Sequence, residues 1–263
     1  MTFGRYLVAL AAPALLLFAV SPVGAEEPDG SVSLGLSFGV VTGQMNDVNH
    51  LIGLGNVGIG AGSLSGREGL DEISGGFQFA AELRARINPW LVIGAGAEND
   101  VLKQRVSYNF IYEAEVHAVP VRVTAYWYSP WGAKLHENLD FFAGAGLTSL
   151  QNVEVTYHAE RDIPGSEAAD RTEEMIFTGS GAGAHALAGF EFLLTPRVTF
   201  LGEVGYRFAK ATDLKPERKI QDAQGQETDR YTLGFLESFG NPQSLEADFS
   251  GVEGKVTFRF YLL

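Results

Sequence analysis

Cysteine is absent, which excludes disulfides, thiolate metal sites and a lipidated N-terminal Cys. Basic residues are scarce: 19 Lys and Arg face 32 Asp and Glu, for a net charge of −13. That balance argues against nucleic acid or another polyanion as a partner. Long apolar runs are also lacking. Only the N-terminus carries one, and it is shorter than the roughly 20 residues that a helix needs to cross a bilayer.

That run has another reading. Arg5 precedes apolar residues from Tyr6 to Val20, broken by Pro13, and Val23-Gly24-Ala25 then places small residues before Glu26-Glu27. This is the pattern of a secretory signal peptide cut after Ala25. Residues 1–25 are therefore set apart from a single domain over 26–263, and loss of Arg5 takes the net charge to −14.

Beyond the leader, apolar residues recur at every second position over segments of about ten residues, the period of a strand. Val32, Leu34, Leu36, Phe38 and Val40 share one face, opposite Ser33, Gly35, Ser37 and Gly39. In 77–87, Phe77, Phe79, Ala81, Leu83, Ala85 and Ile87 oppose Gln78, Glu82, Arg84 and Arg86. Asn88-Pro89 makes a turn, and a third strand starts at Trp90, its pattern fading after Asp100. A fourth covers Val116 to Tyr128, with a bulge or weak pairing expected at Pro120. Segments 141–157, 179–193, 198–210 and 249–263 add four more. The sequence predicts an all-β fold, an eight-stranded antiparallel up-and-down transmembrane β-barrel. Connections alternate between short turns (Asn88-Pro89, 129–138, Thr195-Pro196) and longer stretches (a medium loop after Asp100, an acidic loop near 160–176, a long loop 212–248), as periplasmic turns and extracellular loops do.

The polar faces carry Glu82, Glu98, Glu191, Glu203 and Glu253 with Arg84, Arg86, Arg122, Arg207, Lys255 and Arg259, five acids against six bases. A near-balanced set in so acidic a chain is expected where charges pair in a confined space. An eight-stranded barrel is just wide enough for side chains to fill, so these residues are read as a salt-bridged plug of the lumen. Trp90, Trp127 and Trp131 all lie beside short turns and are read as a periplasmic aromatic girdle. Tyr108, Tyr112, Tyr157 and Phe177 are placed at the opposite interface.

Three stretches, ELRARINPWLVIGAGA from Glu82, AGFEFLLTPRVTFLGEVGYRF from Ala188 and DFSGVEGKVTFRF from Asp248, resemble strand-turn-strand and closing-strand patterns of the small outer-membrane β-barrel family. That family is meant in the broad sense that takes in the OmpA transmembrane domain and OmpX- and OmpW-like proteins. The resemblance covers nearly all of 26–263. It implies an integral protein of the cell outer membrane, with outer-membrane lipids and lipopolysaccharide around it and the barrel-assembly machinery as a partner in biogenesis. Relatives usually end on an aromatic residue, whereas Phe260-Tyr261 is followed here by Leu262-Leu263.

No constellation calls for an enzyme. Gly53-Leu54-Gly55-Asn56-Val57-Gly58 has the spacing of a dinucleotide loop but runs into more Gly and Ser rather than a helix, so it reads as a loop. The His-x-Ser pair of barrel lipid A deacylases does not occur; His50, His117, His136, His158 and His185 lack a visible Ser partner. His185 points inward and reads as a hydrogen-bonded member of the lumen. No metal-ligand spacing recurs, and the acidic stretch around Glu160, Asp162, Glu167, Asp170, Glu173 and Glu174 reads as a solvated loop. No cofactor is expected. The function expected is a non-enzymatic barrel that contributes to outer-membrane structure and presents long loops to a surface partner, with a narrow channel for small solutes as the alternative and a lipid-modifying enzyme third.

Overall fold

The structure, a computed structural model, describes residues 31–50, 52, 72–107, 110–129, 138–161, 171–222 and 245–262. The expected leader, Trp131, Tyr108 and the Gly53–Gly58 stretch lie outside them. Among the described residues there are nine antiparallel strands: β1 (Val32–Thr42), β2 (Gly75–Asn88), β3 (Leu91–Ser107), β4 (Phe110–Tyr128), β5 (Leu139–Arg161), β6 (Arg171–Thr195), β7 (Val198–Asp222), β8 (Leu245–Asp248) and β9 (Gly251–Tyr261). Eight of them close a ring, each pairing with its neighbour in sequence and β9 joining β7 to β1. The four-residue β8 pairs with β7 just above the start of β9. A closed ring leaves no unpaired edge in hydrocarbon.

The strands on one side are far longer than the alternation predicts. β5, β6 and β7 run 23, 25 and 25 residues, against 11 for β1 and β9, while a bilayer needs about 9–11. Most of the medium loop expected after Asp100 is therefore strand, since Leu102↔Val116 and Val106↔Tyr112 continue the β3–β4 ladder. The acidic loop narrows because β5 reaches Arg161 and β6 begins at Arg171, and β7 takes the first part of the long loop.

These extensions reverse the polarity of the wall. In the half nearest the short turns, charged side chains point in and Leu83, Ile93, Val123, Leu147, Val204 and Phe258 point out. In the far half of β4, Ala114, Val116 and Ala118 point in, while Glu113, Glu115 and His117 lie outside. The switch in β3 and β4 needs no slip: the inward row runs Glu98, Asp100, Leu102. In β5 and β7 it coincides with bulges. Leu150 and Val153 both face in around Gln151 and Asn152, and Ala211 and Leu214 both face in around Thr212 and Asp213. Asn152 and Asp213 take positive φ, 48° and 57°, which Asn and Asp tolerate better than most residues. The ladder irregularity beside Pro120, between His117 and Val119, is the β4 side of the same β5 bulge.

The result is a membrane-type barrel with a water-type barrel on top. The upper interior is a continuous apolar core including Leu102, Leu150, Val155, Phe177, Leu214 and Phe249. Met45, Val48, Ile52 and Ile73, from the β1–β2 connection, complete it. Tyr157 and Phe177, expected at the membrane interface, belong instead to this core: their rings meet edge to face at 6.2 Å, and Tyr157 donates its hydroxyl to Val48 O at 3.0 Å. The bulge at Asn152 turned Tyr157 inward by reversing the facing of β5, whereas Phe177 on β6 keeps the inward parity of His185 and Glu191 and meets the core because the interior above is apolar. The backbone of Tyr112 pairs in the β3–β4 ladder.

Candidate functional site

The lower lumen is filled by inward side chains of β2 through β7 and β9, arranged in three tiers. At the short-turn end, Glu191 on β6 accepts hydrogen bonds from Tyr128 Oη (2.5 Å), Thr199 Oγ1 (2.6 Å), Tyr261 Oη (2.9 Å) and Arg259 Nη1 (3.1 Å). Four donors on one buried carboxylate match its lone-pair capacity. Arg86 lies beside this tier with its guanidinium 5.8 Å from the Tyr128 ring centroid.

In the middle tier, Arg84 lies 3.5 Å over the Tyr126 ring and pairs with Glu203 at 2.6 Å and with Glu82. Tyr126 donates its hydroxyl to Glu82 at 2.6 Å. Glycine makes the room. A Cβ on Gly94, directly across the ladder from Arg84, would sit 2.9 Å from Tyr126 Cε2 and collide with the Glu82 carboxylate. Gly94→Val should therefore cost about 1–3 kcal/mol through overpacking, measured as a lowered urea midpoint in micelles.

The upper tier is the most enclosed. Arg122 pairs with Glu98 at 2.8 Å and, through both terminal nitrogens, with Glu253, one of these bonds being 2.6 Å. Glu98 also accepts from Lys255 Nζ at 2.9 Å and Gln78 Nε2 at 2.7 Å. Arg207, with 0% of its surface exposed, pairs with Asp100 at 2.6 Å and donates from Nε to Phe249 O at 3.2 Å. It joins the charged tiers to the apolar core, where Phe249 belongs. His185 bridges two hydroxyls, Thr124 Oγ1 and Thr148 Oγ1, each at 2.9 Å, and is 3% exposed.

All eleven charged residues singled out from the sequence thus line this interior, and Asp100 adds a sixth acid to the five. Asp100, Gln78, Tyr128 and Tyr261 extend the network, and each carries the inward parity of its strand. Their signal was alternation, which Asp100 continues with charge and Gln78, Tyr128 and Tyr261 continue without it. Trp90 and Trp127, exposed on the outer wall, pack at 4.5 Å between centroids beside the Asn88-Pro89 turn. Among the described residues no group of three or more His, Asp or Glu is arranged to hold a metal ion. His185 is buried between its two Thr partners.

The outer membrane protein beta-barrel domain family matches residues 10–239, and the chain belongs to that family. In barrels of this kind short turns are generally periplasmic and the longer connections extracellular. No characterised protein sequence matches the chain significantly. Among solved structures it is similar to the outer membrane protein OprG of Pseudomonas aeruginosa, at 9% identity and TM-score 0.46 over 90% of this chain and 98% of that one. A major outer membrane protein of Thermus thermophilus gives 10% identity and TM-score 0.46 over 87% and 99%. Neisserial surface protein A gives 12% and 0.40 over 88% and 97%.

Proposed function

We propose that this outer-membrane barrel is a closed, non-enzymatic pillar, which contributes to envelope structure and presents its long extracellular strands and connections to partners outside the cell. The observation that carries this reading is double closure: three tiers of paired charges fill the membrane half, and an apolar core fills the half above. An open pore has neither. Each seal is costly to part, one because it would strand charges in a confined space and the other because it would wet apolar side chains. On this reading residues 1–25 are a cleaved export signal, lipopolysaccharide surrounds the outer-leaflet half of the wall, and the barrel-assembly machinery inserts the chain.

Single-channel recording of the purified, refolded protein tests it. The expected trace is flat, with no stable steps at moderate voltage; regular conductance steps would replace the pillar with a narrow solute channel. The same preparation should migrate differently on gels with and without boiling, since a closed barrel resists detergent until heated.

A further inference from the structure

The bulges that turn β5 and β7 inward also turn side chains out. Each leaves two successive side chains on the outer wall, Gln151 and Asn152 on β5 and Thr212 and Asp213 on β7, all of them exposed. Register sets the two pairs side by side. Leu150↔Gly181 and Val153↔Gly179 bracket the first bulge, and Gly181↔Ala211 and Thr178↔Lys215 bracket the second, so the exposed Ser180 of β6 stands between them. The result is a polar shelf across three strands. Gln151 is bonded to Ser149 Oγ at 2.6 Å, whereas among the described residues the side chains of Asn152, Ser180 and Thr212 have no hydrogen-bond partner. Directly below, the wall is smooth. Ala182, Ala184, Ala186 and Ala188 of β6 face out in one row. Ala184 pairs with Leu147 on one side and Phe208 on the other, 72% and 60% exposed, and Phe208 packs on Tyr206 at 4.5 Å between centroids. Alanines between larger side chains make a shallow apolar groove, which runs up to Ser180, about 13 Å along the strand from Ala184. The β3–β4 sector differs: there Lys103, Glu113 and Glu115 pair with one another on the outer wall.

We propose that the outer face of β5, β6 and β7 is a docking site for one glycolipid of the outer leaflet, with an acyl chain in the alanine groove and the sugar head on the shelf. The occupant follows from the order of the two surfaces. An apolar groove takes a hydrocarbon chain, and its upper end falls where the apolar wall gives way to polar residues, the level at which a lipid head sits. Amide and hydroxyl groups both donate and accept, as the hydroxyls of a sugar do. Lys215, exposed beside the shelf and without an ion pair among the described residues, is placed for a phosphate on that sugar. Asp213 and Glu154, exposed on the same wall, disfavour a head that is an anion and nothing more. Lys210, across the ladder from Ala182, is already held by Glu246 at 2.7 Å and Asp248 at 3.0 Å. This deepens the closed-pillar reading and rests on its placement of lipopolysaccharide around the outer half of the wall, but not on closure of the lumen.

Native mass spectrometry of the folded full chain tests it, after incubation in an amine-oxide detergent with lipid A, a phosphorylated and acylated disaccharide, or with phosphatidylglycerol, an anionic lipid with no sugar ring. The parent should retain one lipid A and little phosphatidylglycerol. Asn152→Gly, Ser180→Ala and Thr212→Ala together should weaken lipid A retention about tenfold or more, through the loss of the hydrogen bonds to the head. Glycine is chosen at 152 because it accepts the positive φ of 48°. Ala184→Phe, which fills the groove and leaves the shelf intact, should weaken lipid A to a similar degree. Both variants should keep the heat-sensitive gel shift of the folded barrel. Equal retention of lipid A by the parent and both variants would overturn the proposal, as would phosphatidylglycerol retained as well as lipid A. Regular conductance steps from a barrel that still retains lipid A in this pattern would sink the closed pillar and leave the docking site standing.

Discussion

Replacing Arg122 by Leu should destabilise the barrel by about 3–5 kcal/mol, because it strands buried carboxylates that the guanidinium now satisfies. Glu253 loses both of its hydrogen-bonded contacts to Arg122 and Glu98 loses its pair at 2.8 Å. Lys255 still reaches Glu98, at 2.9 Å, so the larger part of the loss falls on Glu253. The urea midpoint of folding into vesicles, followed by the heat-sensitive gel band, is the measurement. Lys103→Leu is the control: its ion pairs with Glu113 and Glu115 lie on the outside of the upper barrel with the Lys103 side chain 44% exposed, and its removal should cost less than about 1 kcal/mol. Removing both partners, Arg122→Leu with Glu253→Leu, should cost less than Arg122→Leu alone, since no acid is then left uncompensated at that position.

An arginine placed on the lipid face should be nearly as damaging, and its cost should depend on height. Val256→Arg, near the middle of the belt on β9, is expected to cost about 2–4 kcal/mol, and Phe260→Arg, close to the periplasmic interface, about 0–1 kcal/mol. The upper barrel supplies the contrast. Thr156 on β5 points outward among Glu154 and His158 in the water-exposed wall, so Thr156→Arg should stay within about 0.5 kcal/mol of the parent. The same reversal makes Val155→Arg severe, since Val155 lies in the apolar core.

The eight-stranded ring was legible because each membrane-crossing segment alternates strictly; Val252 to Leu262, with charges at Glu253, Lys255 and Arg259 between apolar neighbours, is the plainest case. The charged interior was legible for the same reason, since parity alone assigns Arg84 or Arg122 to one side. What alternation did not disclose is which side is wet. Glu113-Ala114-Glu115-Val116-His117-Ala118 alternates as regularly as any lipid-facing segment, but with apolar residues inward. A reader expecting one polarity takes such a stretch for loop. Phe177 follows the same rule on β6, but Tyr157 was misplaced by a different cause. One extra residue at Gln151-Asn152 exchanges the faces of β5, and a bulge between polar residues leaves no mark in hydropathy. The contribution of the β1–β2 connection to the core was hidden because Met45, Val48 and Ile52 are apolar residues in a connection, where no strand partner announces their burial.

The most direct test of the stacked, closed barrels is a cysteine scan along β4 from Glu113 to Trp127, one residue at a time, in protein reconstituted into bilayers; the lack of native Cys makes every signal assignable. A lipid-soluble maleimide should label 121, 123, 125 and 127, a charged impermeant reagent added outside should label 113, 115 and 117, and even positions from 114 to 126 should resist both. Labelling of Arg122 or Thr124 positions by the charged reagent would reveal an open aqueous lumen, and lipid-soluble labelling that continues unbroken to 113 would abolish the polarity switch on which the account rests.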